Sequence, residues 1–195
     1  MTLIVCAMYE EVQSWIPKNK TFTQINADTI VLITGIGKVN AASKLTEALL
    51  AYPITRIINI GVSGATKPYQ LNTLYQIEKA YYHDAHAEAF GYLPYQIPGM
   101  PTHYETTLNL DTLKSFSIQK ANLYTGDEFV VSNKGFEGLI DMEGCSLYQV
   151  AYLYKKPIIS FKLVSDVIGE TRYSDFILLE ASKKLENCLH MLEVI

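Results

Sequence analysis

The chain has 195 residues, 49% hydrophobic and 18% charged, with a formal net charge of -4. A chain of that length buries roughly 70% of its unfolded surface, so a core forms without disulfide or metal staples, and the acidic balance argues against the basic stripe that a nucleic-acid partner demands. Cys6, Cys145 and Cys188 are odd in number and widely spaced, which predicts reduced, buried thiols of a cytoplasmic protein, and no apolar run reaches the ~18 residues of a membrane span.

Taken in chain order, Thr2–Met8 is apolar, lacks a basic n-region and reads as a first core strand, not a signal peptide. Tyr9–Trp15 reads as helical. Thr29–Thr34 is a strand that breaks at Gly35 and Gly37, and Lys38–Tyr52 repeats Val39, Ala42, Leu45, Ala48 and Leu49 at three- and four-residue steps, the pattern of an amphipathic helix. Arg56–Ile60 is a strand ended by Gly61 and Gly64, and Leu74–Tyr82 a longer one. His83–Tyr104 is rich in Gly, Pro, Tyr and Phe without a period; so long an irregular segment in a compact domain points to function. Asn122–Val131 and Leu139–Met142 read as short strands, Cys145–Tyr154 as a helix and Ile158–Ser165 as a buried strand. Ser174–Leu192 closes the chain as a helix with Ser174 as N-cap. Strands alternating with helices give an α/β fold, a three-layer sandwich with a mixed central sheet. No repeat or linker interrupts residues 1–195, which read as one domain.

Carboxylates carry the chemistry. Asp141-Met142-Glu143-Gly144 places acids between a strand and a helix, and Ile158–Ser165 runs directly into Asp166. Strand ends that open into loops are where α/β enzymes hold ligands. With Glu11 after the first strand, three carboxylates suit acid–base work on a neutral substrate. The residues alone leave Asp166 equally open to a helix-capping role, and Glu10 and Glu11 to a solvated first turn.

Several segments together resemble the methylthioadenosine/S-adenosylhomocysteine nucleosidases of the nucleoside phosphorylase superfamily. They are Ala7-Met8-Tyr9-Glu10-Glu11-Val12, Thr34-Gly35-Ile36-Gly37-Lys38-Val39-Asn40, Gly61-Val62-Ser63-Gly64 and His83-Asp84-Ala85 with Ala89-Phe90-Gly91-Tyr92. Gln96-Ile97-Pro98-Gly99-Met100-Pro101, Thr125-Gly126-Asp127-Glu128-Phe129-Val130, Asp141-Met142-Glu143-Gly144 and Val164-Ser165-Asp166 follow in the family's order. The resemblance implies a nucleoside phosphorylase-like fold and hydrolysis of the bond between adenine and a 5′-thio-substituted ribose, without cofactor or metal. It assigns Asp166 as the acid that protonates the purine N7 and Glu11 as the base that orients water. Glu143 would accept the ribose hydroxyls against Met142, Phe129 would stack on adenine, and the backbone of Val130 would pair with the purine edge. Met8, Ile36, Ser63 and Gly64 would line the pocket. The family also implies a homodimer in which Phe90, Tyr92 and Pro98 enter the partner's site, with Tyr173 closing the 5′ pocket from its own chain.

The chain departs from the family in four places. Val62-Ser63-Gly64 stands where Ser-Ala-Gly is common, Lys162 where bacterial members often carry Arg, and Asn72-Thr73 where a Gly-Asp turn is usual. The hairpin region around Pro17–Thr29 reads as trimmed. Other signals carry less. Gly35-Ile36-Gly37 lacks the third glycine and the following acid of a dinucleotide fingerprint, His83 and His86 have no further ligand to complete a metal set, and Ser63 lacks a nucleophile elbow. The competing readings are a phosphorylase on the same fold, aminodeoxyfutalosine hydrolysis and a non-catalytic nucleoside-binding domain. A phosphorylase needs cationic donors for its anion, and Arg56 and Arg172 are the chain's two arginines.

Overall fold

The computed structural model describes residues 1–115, 117–132, 134–170 and 175–195. The strands β1 (Thr2–Cys6), β2 (Phe22–Asn26) and β3 (Thr29–Ile33) form one edge of the sheet, with β1 parallel to β3 and β2 folded back against β3 as a hairpin. The region read as trimmed thus holds a short hairpin, whose strand β2 is too polar and exposed to show as an apolar run. Tyr9–Glu11 is a single 3₁₀ turn, where the sequence suggested a longer helix to Trp15. Glu11 fixes that turn by reaching back to the N–H groups of Ala7 and Met8, at 2.8 and 3.0 Å, which would otherwise lack partners at a helix start.

The helix α1 (Lys38–Ala51) leads into β4 (Arg56–Ala65). Ala41, Leu45 and Ala48 are its buried stripe, whereas Val39 is 77% exposed. Each three-residue step falls ~60° short of a full turn, so the run from Val39 drifts off the face that holds Leu45. β4 is twice as long as its first apolar run, because Gly61 and Gly64 lie within the strand and do not end it. A Cβ on Gly61 would sit 2.5 Å from the Glu11 Oε1, and one on Gly64 would sit 3.1 Å from the Asp166 Oδ2. These glycines make room for carboxylates.

β5 (Leu74–Tyr82), β6 (Tyr104–Glu105), β7 (Gln119–Thr125) and β8 (Leu139–Asp141) follow, then α2 (Gly144–Leu153), β9 (Ile158–Val167) and α3 (Asp175–Met191). The predicted strand Asn122–Val131 is shifted: β7 stops at Thr125, and residues from Gly126 onward form a loop. Asp166 lies inside β9, not beyond its end. The Ser174 cap falls outside the described residues.

Strand pairing explains why one end of the sheet encloses space. β4 pairs with β9, β9 with β5, β5 with β7, β7 with β8, and β8 returns to the last two residues of β4. The mixed sheet thus curls into a small closed ring, while β1, β3 and β2 extend the sheet from β4. Helices α1 and α2 cover one face over Leu3, Val5, Ile57, Ile77 and Leu123; α3 covers the other over Ile4, Ile58, Ile60, Phe161 and Leu163. The alternation in β1, Leu3 and Val5 against Ile4 and Cys6, is the two-residue period of a strand buried on both faces.

Candidate active site

The C-terminal ends of β1, β3, β4 and β9 converge on a cavity of about 340 Å³. Its acids are Glu11, Glu128, Asp141, Glu143 and Asp166, and among the described residues no lysine or arginine lines it. Met8, Ile36, Ser63 and Gly64 form part of the wall, together with Phe129, Val130 and Met142.

Glu11 is 2% exposed, whereas its neighbour Glu10 faces solvent. Besides the N–H groups of Ala7 and Met8, Glu11 accepts the Val62 N–H at 2.8 Å on its other oxygen. Burial raises its pKa, opposed by the Lys162 ammonium and by these three N–H donors. The carboxylate is held rigidly at the point where β1 ends.

Lys162 is the site residue that sequence reasoning left without a role. Its side chain extends from β9 beneath the cavity, 2% exposed, with Nζ 2.9 Å from the Asp141 Oδ2. Burial alone would pull its pKa down, but Asp141, Glu11 and Glu143 outweigh that and raise it, so the ammonium stays charged. Asp141 also accepts the Thr125 hydroxyl at 2.6 Å and the Gly144 N–H at 2.9 Å. Thr125 in turn accepts the Cys145 N–H at 2.9 Å. Asp141 and Thr125 thereby satisfy the first N–H groups of α2, which frees Glu143 from capping its own helix.

Glu143 points instead across to α1, where the Gly37 N–H donates to its Oε1 at 2.8 Å. Gly37 has φ +99, a backbone that side chains disfavour, and this turn aims the N–H at the acid. Burial first, then the Asp141 charge, pushes the Glu143 pKa up to about 7, against the opposing pull of Lys162 and the Gly37 N–H. Asp166 accepts the Ser165 hydroxyl at 2.8 Å. Burial raises its pKa, and that one hydrogen bond opposes the rise.

The structure brings Met8, Glu11, Ile36, Ser63, Gly64, Phe129, Val130, Met142, Glu143 and Asp166 to one cavity. Val130 does so from a loop, not from the strand the sequence suggested; it is buried with Phe136 and Ile140, while Phe129 remains 64% exposed at the mouth. Phe90, Tyr92 and Pro98 do not reach this cavity; all three are exposed. Tyr173 lies outside the described residues. Val62 lines the cavity in the place of the family's serine, and the Ser63 hydroxyl beside it is buried with no hydrogen-bond partner among the described residues. Asp141 and Lys162 could have been found as a pair: an acid at the end of one apolar strand and a base in the middle of another must meet or both remain uncompensated.

Comparison with known proteins matches this architecture. The sequence profile of the phosphorylase superfamily fits residues 4–193. The 5′-methylthioadenosine/S-adenosylhomocysteine nucleosidase of Staphylococcus carnosus (strain TM300) is 30% identical over 188 residues, covering 86% of this chain and 82% of that protein. A Borrelia burgdorferi B31 protein described as a nucleosidase of the same specificity, with adenine bound, superposes with a TM-score of 0.79 at 25% identity over 100% of both chains. Futalosine hydrolase of Helicobacter pylori strain 26695 shares the fold, with a TM-score of 0.85 at 23% identity over 98% of this chain and 96% of that one. A chain that matches the superfamily from end to end, and a nucleosidase over most of both lengths, belongs to the phosphorylase superfamily and, within it, to the family of 5′-methylthioadenosine/S-adenosylhomocysteine nucleosidases.

Proposed function

We infer that the protein hydrolyses the N-glycosidic bond of 5′-thio-substituted adenosines, such as methylthioadenosine and S-adenosylhomocysteine, releasing adenine and the 5′-thioribose. The observation that carries this reading is the cavity wall: five carboxyl groups and, among the described residues, no lysine or arginine. Such a wall favours positive charge developing on the ribose in the transition state and repels the phosphate anion that phosphorolysis requires. Arg56 is bonded to Thr2 at the opposite end of β1 and β4, so it cannot serve an anion at the cavity.

The chemistry follows from where each proton can sit. As the C1′–N9 bond breaks, its electron pair passes to adenine, and Asp166 delivers a proton to the purine N7. The ribose becomes cation-like, with the Glu143 carboxylate accepting its 2′- and 3′-hydroxyls. Glu11 holds water on the opposite face and takes its proton as the oxygen joins C1′. Phe129 stacks on adenine from the loop, Val130 offers its backbone to the purine edge, and Met142 packs on the sugar. Met8, Ile36, Ser63 and Gly64 complete the walls. Burial raises the Asp166 pKa, the direction that favours its acting as the proton donor. Neither metal nor organic cofactor enters this scheme.

We further propose that residues 1–195 act as one nucleosidase domain, as a homodimer. Phe90 is 83% exposed on a segment whose Tyr95 packs edge-on against Tyr81 and Tyr124, so an ordered loop presents an uncovered aromatic ring. Phe90, Tyr92 and Pro98 would cover the partner's 5′-alkylthio group, with Tyr173 from the same chain. The free thiols of Cys6, Cys145 and Cys188 fit a reducing cytoplasm. Incubation with methylthioadenosine, with products separated by chromatography and mass, should give adenine and the free sugar in phosphate-free buffer. A sugar 1-phosphate formed only when phosphate is added would overturn the hydrolytic reading.

A further inference from the structure

A second set of charges, outside the cavity, ties its two walls together. Lys38 begins α1 one residue after Gly37, whose N–H holds Glu143. The Lys38 Nζ lies 2.5 Å from the Asp84 Oδ2 and 3.8 Å from the Asp127 Oδ2, and sits 5.5 Å from the centre of the Tyr82 ring. Asp84 also accepts the Asp127 N–H at 3.0 Å, and Asp127 accepts the backbone N–H of Lys38 at 2.8 Å. Two consecutive orphan donors at the start of α1 therefore each receive a carboxylate, Glu143 at Gly37 and Asp127 at Lys38.

Three segments meet at this junction. Asp84 follows β5 and opens the segment that carries Phe90. Asp127 opens the loop that carries Phe129 and Val130 to the cavity. Lys38 belongs to the helix end that positions Glu143. Glycines fit the junction closely: a Cβ on Gly37 would lie 3.3 Å from the Asp127 Oδ1, and one on Gly126 would lie 2.5 Å from the His83 ring. Lys38, Asp84 and Asp127 do not themselves line the cavity.

We propose that Lys38 is a positioning residue for nucleoside binding, its ammonium held between Asp84 and Asp127 so that the Phe129–Val130 wall stays at a fixed distance from Glu143. This rests on the nucleosidase reading and names how its purine wall is set. A lysine acting in this way governs affinity for the purine more than the bond-breaking step. Lys38→Met should raise KM for methylthioadenosine, and Kd for adenine alone, by about tenfold, the scale of one lost charge-assisted hydrogen bond, with a smaller change in kcat. Lys38→Arg should restore both values to within about threefold of wild type, because a guanidinium can reach both carboxylates.

Adenine Kd by titration calorimetry and the split of KM from kcat are the readouts, taken with each variant's melting temperature. Asp127→Asn, which keeps an oxygen for the Lys38 N–H, is the second variant should Lys38→Met fail to fold; it should weaken adenine binding in the same direction. Wild-type protein that neither binds adenine nor cleaves methylthioadenosine would condemn the nucleosidase reading itself. Active wild type combined with a soluble Lys38→Met, or failing that Asp127→Asn, of unchanged adenine affinity would overturn the positioning role alone, as would an effect confined to kcat.

Discussion

Replacing Glu143 by Gln should make the protein less active and more stable, and the gain in stability should depend on pH. Folded Glu143 titrates at about 7, against an ordinary value of 4.5. Between those values the folded chain holds a proton that the unfolded chain has released. The stability linked to this group is therefore fully present below the unfolded pKa and is lost as pH rises through 7. The whole gap corresponds to ~3 kcal/mol, and the portion lost between pH 5.5 and 8.5 to ~2 kcal/mol. Gln keeps an oxygen for the Gly37 N–H but carries no charge, so it escapes this loss. Urea denaturation at pH 5.5 and 8.5 should show the advantage of Glu143→Gln over wild type growing by ~2 kcal/mol between the two, or roughly 2–4 °C of melting temperature per kcal/mol. Turnover of methylthioadenosine should meanwhile fall by about 10²-fold, the scale for removing one electrostatic stabiliser. A variant that is equally destabilised at both pH values would refute the idea that burial beside Asp141 strains this carboxylate.

Three other substitutions probe separate parts of the site. Asp166→Asn should lower kcat by about 10²-fold or more, the loss expected of a positioned general acid, with an unchanged circular dichroism spectrum; near-normal turnover would place protonation elsewhere. Lys162→Met should destabilise by about 3–5 kcal/mol, because Asp141 is left buried without its cation, and should shift the acidic limb of the kcat/KM profile upward, since Lys162 lowers the pKa of both Glu11 and Glu143. Gly61→Ala should reduce kcat by about 10²-fold through displacement of Glu11 by about an ångström; a normal rate would mean that the position of Glu11 is not critical.

Much of the fold was legible because its strands are buried on both faces and so read as continuous apolar runs, as in Ile158–Ser165 and Arg56–Ile60. The acids were legible because they interrupt or end such runs. What the sequence hid is what depends on pairs. β2 is polar and exists through its register with β3. Gly61 and Gly64 looked like strand terminators, but their lack of Cβ serves Glu11 and Asp166, which are remote in sequence. Lys162 carried no visible purpose until the return of β8 to β4 brought Asp141 above it. The segment from Gly126 to Val131 read as strand because Phe129, Val130 and Val131 favour extended structure, yet β7 ends at Thr125.

The central claim is that a wall of carboxylates stabilises a ribosyl cation while adenine leaves. Affinity for a 5′-thio adenosine analogue whose ribose is replaced by a protonated pyrrolidine, measured against the neutral carbocyclic analogue of the same shape, tests it most directly. The claim predicts that the cation binds at least about 10²-fold more tightly, as mimics of a transition state do, and that Glu143→Gln removes much of the difference. Equal affinity for the cationic and neutral compounds would contradict it.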